Sequence, residues 1–141
     1  GKGELLREGK DVAFLAIGSM VNYALIAADK LDSEGINTEV INMRFAKPLD
    51  MDIIDEVAKR YNKIVTLEEN TLYGGFGSGI LEYLAEKEYK NDVLRIGLPD
   101  NFVEHGTQGE LHRLLGIDPD GIAEKTKLFC ENKFIHHEVI N

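Results

Sequence analysis

The chain has 141 residues, of which 43% are hydrophobic and 29% are charged, as in ordinary globular domains. Sixteen basic residues against 25 acidic residues give a net charge of −9, which disfavours nucleic acid and anionic lipid as partners. The longest apolar run, Val12–Ile17, is six residues, against the ~20 that a membrane span needs. A single cysteine excludes an internal disulfide.

The opening segment Gly1–Lys10 is polar and carries no signal peptide, so a cytoplasmic location is expected. It also lacks a start methionine. We therefore expect a single domain over residues 1–141 that belongs to a longer chain.

The first elements are two strands and a helix. Glu4–Arg7 is short enough for an edge strand, whereas Asp11–Gly18 is almost wholly apolar, which is typical of a strand buried on both faces. Apolar residues then recur with helical spacing over Met20–Glu34, and Gly35 ends that helix.

The middle of the chain repeats this alternation. Thr38–Asn42 is the next predicted strand, and Asp50 is the predicted N-cap of a helix, with Leu49 and Ile54 forming a hydrophobic staple. Lys63–Leu67 is then predicted as a third strand of the apolar type.

The second half of the chain contains three predicted helices and one strand. Ile80, Tyr83 and Leu84 mark a helix, and Asp92–Leu98 is a strand. Thr107 and Glu110 form a T-x-x-E capping box ahead of a helix whose apolar residues are Leu111, Leu114 and Leu115. Asp118 and Pro119 supply the cap and the first-turn proline of the final helix.

This alternation predicts parallel strands joined by right-handed helical crossovers, with helices on both faces of the sheet. The sequence contains no internal repeat and no low-complexity linker. A three-layer α/β/α domain is therefore expected, with the Glu4–Arg7 strand antiparallel at one edge.

Four glycines occur within residues 74–79 (GGFGSG), five residues after the second of the adjacent carboxylates Glu68 and Glu69. The dinucleotide-binding fingerprint fails because its third glycine position holds Ile80, and the P-loop fails because the same residue replaces its lysine. We therefore favour a tight turn with close backbone packing over a phosphate cradle, and expect at least one of these glycines to have a positive φ.

Other reactive side chains give weak signals. Glu68 and Glu69 are adjacent on a strand, so they point to opposite faces, and we expect a solvated or interface role for them. Cys130 lies on an apolar helix stripe and is interpreted as a small core residue. The adjacent pair His136 and His137 lacks the spacing of a metal site, so we interpret it as surface.

A few residues are placed near strand ends by the sequence alone. His105 follows the carboxyl end of the last strand, where α/β sheets place their ligands, although a lone loop histidine is more often structural. Arg44, Lys47 and Arg95 are the basic residues nearest to strand ends, and either meet a substrate or pair with the acidic residues at 68 and 69.

Several blocks resemble the C-terminal domain of the 1-deoxy-D-xylulose-5-phosphate synthases, which are transketolase-like enzymes. The blocks are RFAKPLD at 44–50, EEN at 68–70, GGFGSG at 74–79 and LPDNFVEHG at 98–106. The resemblance covers roughly residues 1–125. It implies the transketolase C-terminal fold, a five-stranded mixed sheet between helices with the first strand antiparallel.

The resemblance also implies the chemistry of the whole enzyme. That family uses thiamine diphosphate and Mg²⁺ to decarboxylate pyruvate and to join the two-carbon fragment to glyceraldehyde 3-phosphate. The product feeds isoprenoid, thiamine and pyridoxal synthesis. The family's Mg²⁺-diphosphate motif is absent here, so we expect this fragment alone to bind no cofactor and to be inactive, supporting a homodimer of the longer enzyme.

For a homodimer of this kind, we expect the segment that follows the third strand to lie at the subunit contact, comprising Glu69, Asn70, Gly75, Phe76 and Gly77. His105 is expected near the mouth of the active site in the full enzyme. Two alternatives remain: a stand-alone flavodoxin-like module that binds an anion or a nucleotide, and the partner-docking domain of a 2-oxo-acid dehydrogenase subunit.

Overall fold

The computed structural model of the chain describes residues 2–71, 75–98 and 107–132. Its strands are β1 (Glu4–Arg7), β2 (Val12–Ala16), β3 (Thr38–Asn42), β4 (Lys63–Thr71) and β5 (Asp92–Leu98). Its helices are α1 (Met20–Asp32), α2 (Met51–Arg60), α3 (Phe76–Glu86), α4 (Gln108–Leu115) and α5 (Pro119–Cys130).

The five strands form one mixed sheet in the order β1-β3-β2-β4-β5. Strand β1 is antiparallel to β3, whereas β2, β3, β4 and β5 run parallel to one another. All five residues of β2 are buried, as the unbroken apolar run predicts for a central strand. The predicted antiparallel edge strand is thereby confirmed.

Helices cover both faces of the sheet, which gives the predicted three layers. On one face, α1 and α5 pack on β2, β4 and β5 around Phe14, Leu31 and Phe129. On the other face, α2 and α3 pack around Leu15, Ile54 and Ile80. The core is therefore divided by the sheet into two apolar layers.

Short-range capping residues begin three of the helices as predicted. The side chains of Asp50, Thr107 and Asp118 accept hydrogen bonds from the backbone N–H groups of Ile53 (3.2 Å), Glu110 (3.2 Å) and Gly121 (3.0 Å). Helix α1 ends at Asp32, two residues before the predicted Glu34, and Gly35 follows with φ +85°.

Strand β4 is longer than predicted. It continues past Leu67 to Thr71, and Thr71 pairs with Leu98 of β5 after a register irregularity. Glu68 and Glu69, expected at the end of this strand, lie inside it, and each of them has polar partners that make this position favourable.

Helix α4 faces the core with a different side from the one expected. Leu114, predicted to belong to its apolar stripe, is 74% exposed, whereas His112 is 5% exposed. The reason is that His112 has a hydrogen-bonding partner on α1, which makes its burial favourable.

Candidate functional site

The order of the strands creates a crevice at the carboxyl end of the sheet. After β2 the chain moves to β3 on one side and then to β4 on the other, so the connections diverge above the ends of β2 and β4. Such a switch point is where open α/β sheets bind ligands. A cleft of about 870 Å³ opens there, and its wall includes Ser19, Glu69, Phe76 and His112.

Glu69 connects three elements across this cleft. Its Oε2 accepts a hydrogen bond from the Ser19 hydroxyl, which precedes α1, and its Oε1 accepts one from Gln108 Nε2 at 2.6 Å, in the first turn of α4. His112 Nε2 lies 3.8 Å from the same Oε1. The Glu69 carboxylate therefore ties β4 to the starts of α1 and α4.

His112 is a site residue that the sequence interpretation missed. Its Nδ1 lies 3.1 Å from the hydroxyl of Tyr23, whose ring packs edge-on against the imidazole with centroids 5.4 Å apart. Gln108 and His112 are spaced i, i+4 and share one face of α4. That polar pair, close to the end of β5, was the signal available in the sequence.

Glu68 faces the opposite side of the sheet and is fully buried. Its Oε1 accepts a hydrogen bond from the N–H of Phe76 at 2.9 Å, and its Oε2 accepts one from the N–H of Gly77 at 2.7 Å. The expected solvated or interface role of Glu68 is therefore wrong. The two adjacent carboxylates do point to opposite faces, as predicted, and do not act as a pair.

The pKa of Glu68 reflects competing influences. Burial is the largest and raises the pKa above its ordinary value, whereas the two N–H donors and the Arg95 guanidinium act to lower it. The carboxylate occupies the N-terminus of α3, where backbone N–H groups favour an anion.

Gly77 is required by close packing rather than by an unusual backbone angle. A Cβ at this position would lie 2.7 Å from Thr66 Oγ1, 2.9 Å from Glu68 Oε2 and 3.3 Å from Arg95 Cδ. This confirms the predicted close approach. Gly75, Gly77 and Gly79 do not have a positive φ, so the prediction that at least one of the four glycines does now concerns Gly74, which lies outside the described residues.

The described residues do not fit Mg²⁺ or a diphosphate. In residues 2–71, 75–98 and 107–132, no three histidine, cysteine or acidic side chains converge to hold a metal ion. The N–H groups of Phe76 and Gly77, which could receive a phosphate, already bind Glu68. The cleft wall carries two carboxylates, Glu69 and Glu82, against the single lysine Lys47.

The remaining predicted residues are placed as follows. Cys130 is half-buried against the core, and burial raises the pKa of its thiol, which agrees with a core role. Arg44 forms an ion pair with Glu4 at 3.3 Å.

Some predicted residues cannot be placed. His105, His136 and His137 lie outside the described residues, and Asn70 belongs to β4 without a described side chain. Across the described part of the chain, no helix is both long and apolar enough to cross a bilayer.

Comparison with known families identifies the domain. The model of the transketolase C-terminal domain matches residues 1–122. The chain belongs to this family. A 1-deoxy-D-xylulose-5-phosphate synthase from Chlorobium phaeovibrioides is 47% identical over 129 residues, covering 92% of this chain and 20% of that protein. One from Aquifex aeolicus is 46% identical over 127 residues, covering 90% and 20%.

Solved structures agree with the transketolase C-terminal fold. A chain described as a split-gene transketolase, in an inactive beta4 tetramer, is 34% identical with a TM-score of 0.83, covering 94% of this chain and 42% of that one. A transketolase mutant from Pichia stipitis is 21% identical with a TM-score of 0.68, covering 92% and 18%, and shows the fold alone. The chain spans about a fifth of the length of the curated relatives that it matches.

Proposed function

We propose that this transketolase C-terminal domain is the last domain of a 1-deoxy-D-xylulose-5-phosphate synthase. In that role it belongs to a thiamine-diphosphate- and Mg²⁺-dependent transferase of the cytoplasm. The whole enzyme condenses pyruvate with glyceraldehyde 3-phosphate, with decarboxylation, and supplies precursors of isoprenoids, thiamine and pyridoxal. Residues 1–141 form one domain of it.

One observation carries this proposal: relatives that are 43–48% identical to this chain over 90% or more of its length are synthases of this kind. They favour the synthase over a stand-alone flavodoxin-like module and over a 2-oxo-acid dehydrogenase subunit. The described residues offer no fit to Mg²⁺ or a diphosphate. We propose that the cofactor site lies in the other domains and that this fragment alone is inactive.

The test is the activity of the full-length protein that contains this chain. With thiamine diphosphate and Mg²⁺, we expect it to release CO₂ from pyruvate and to form deoxyxylulose phosphate when glyceraldehyde 3-phosphate is present. Xylulose 5-phosphate with ribose 5-phosphate, a substrate pair of transketolase, serves as the control. Transfer on that pair without any deoxyxylulose phosphate would contradict the proposal.

The segment from the end of β4 to the start of α3 is proposed to lie at the contact between two copies of the full enzyme. It comprises Glu69, Asn70, Gly75, Phe76 and Gly77. Two features support this: its position at the carboxyl edge of the sheet beside the cleft, and the tetramer described for the split-gene transketolase, whose chain this one resembles. A two-fold contact would bury this segment on both subunits.

Gly77→Val tests that contact, because valine cannot fit beside Thr66 and Glu68 without moving the turn. Sedimentation velocity of the full-length protein should then show weaker dimerisation. Gly109→Ala is the matched control, since a Cβ at Gly109 would meet no atom within 4 Å. An intact Gly77→Val dimer would contradict the proposed contact, and measurable phosphate binding by the wild type would favour a phosphate site at the glycines instead.

His105 is proposed to approach the active site of the full enzyme. The support is its place in the sequence after β5, whose carboxyl end borders the cleft through Leu98. His105→Ala should lower kcat or raise KM about tenfold, which corresponds to about 1.4 kcal/mol. His136→Ala, in the C-terminal tail, is the control, and unchanged kinetics for His105→Ala would leave that residue structural.

A further inference from the structure

The N-terminus of α3 has the features of a carboxylate-binding site. Two successive backbone N–H groups, those of Phe76 and Gly77, point at the two oxygens of one carboxylate at 2.9 and 2.7 Å. The carboxylate is that of Glu68, which comes from the same chain eight and nine residues earlier. No solvent reaches it, since Glu68 is 0% exposed.

A second observation points to the same space. Thr66 lies two residues before Glu68 and therefore on the same face of β4. Its hydroxyl is fully buried and has no hydrogen-bond partner in the described part of the chain. The hydroxyl and Glu68 Oε2 both lie within 3 Å of the position that a Cβ of residue 77 would take. The space thus contains a hydroxyl able to donate to a carboxylate in addition to the two N–H groups.

We infer that the start of α3 is a binding site for a small monocarboxylate, which the chain fills with the side chain of Glu68. The site is selective by shape. A planar carboxylate places its two oxygens on the two N–H groups, as Glu68 does, whereas a tetrahedral phosphate brings two further oxygens into a space that is fully buried between Thr66 and Gly77. The glycine turn is thus an anion site whose anion is built into the chain.

This inference predicts chemical rescue. Glu68→Ala removes a CH₂ and the carboxylate, which together have the size of acetate. In the full-length protein, hydrogen exchange of the first turn of α3, measured by mass spectrometry, should become roughly ten- to a hundred-fold faster. Acetate or formate should restore the protection, whereas chloride or phosphate at matched ionic strength should not.

Two further variants sharpen the test. Glu69→Ala removes the neighbouring carboxylate, whose partners are the side chains of Ser19 and Gln108, so acetate should not change the exchange of α3 in that variant. Glu68→Gln keeps the volume and one acceptor, which guards against loss of folding. It should show intermediate exchange and no response to acetate, because no cavity is opened.

Unchanged protection of α3 in Glu68→Ala and Glu68→Gln would overturn the assignment of the carboxylate as the ligand of this helix. Equal rescue by acetate, chloride and phosphate would overturn the shape selectivity. Neither outcome depends on the reaction or the association state of the whole enzyme, so the result is separate from the proposed function.

Discussion

Gly77→Ala is expected to destabilise the domain even though alanine is the better helix former. The new Cβ would lie 2.7 Å from Thr66 Oγ1 and 2.9 Å from Glu68 Oε2, and both of these residues are fully buried. Overpacking of this kind costs about 1–3 kcal/mol, and a displaced Glu68 leaves a buried N–H unpaired at a cost of about 1–3 kcal/mol. The helix preference of alanine returns about 1 kcal/mol, so the net loss is roughly 3 kcal/mol.

Gly79→Ala is the matched comparison on the same helix. Its Cβ would lie 3.6 Å from Leu49 Cδ1, an ordinary contact, so this variant should gain about 0.5–1 kcal/mol. Urea denaturation followed by circular dichroism measures both variants, with equal slopes required for the comparison. If Gly77→Ala were as stable as Gly79→Ala, the packing argument for Gly77 would be refuted.

Two other variants test interactions away from the cleft. Arg60→Ala leaves the buried carboxylate of Glu39 without its guanidinium partner, which binds both oxygens at 3.0 and 2.8 Å. The free energy of unfolding, measured by urea denaturation, should fall by only about 2–3 kcal/mol, because Arg60 itself is half exposed. The exposed pair of Lys30 with Asp120 is the control, and Lys30→Ala should leave the free energy of unfolding almost unchanged. Burial, helped by the hydrogen bond to Glu39, raises the pKa of Tyr61 from 10.0 to about 12. The stability that comes from this raised pKa is fully present below pH 10 and is lost as the pH rises through 12. When the ultraviolet titration curve of Tyr61→Phe is subtracted from that of the wild type, the difference should show one phenol that ionises near pH 12 rather than near pH 10.

Much of the fold could be predicted because its signals are local. The caps at Asp50, Thr107 and Asp118 each bind an N–H three residues away, so a short window of sequence contains the whole interaction. The unbroken apolar run of β2 likewise predicts a strand buried on both faces. Alternation of these elements then predicts the three layers.

The candidate site could not be predicted in the same way, because its interactions join distant segments. From the local sequence, Glu68 is expected to be a surface carboxylate. Its burial depends on two N–H groups at the start of α3, which are eight and nine residues away in the chain. His112 replaces Leu114 on the buried face of α4 because Tyr23, 89 residues earlier, bonds to its imidazole. Tertiary partners of this kind outweigh the local preference for burying leucine.

We propose that this domain supports the whole enzyme without holding its cofactor. Calorimetric titration with thiamine diphosphate and Mg²⁺ at physiological salt tests it, on the full-length protein and on the 141-residue chain in parallel. We predict saturable, Mg²⁺-dependent binding by the full-length protein and no specific binding by the chain. A micromolar, Mg²⁺-dependent affinity of the chain alone would contradict the claim.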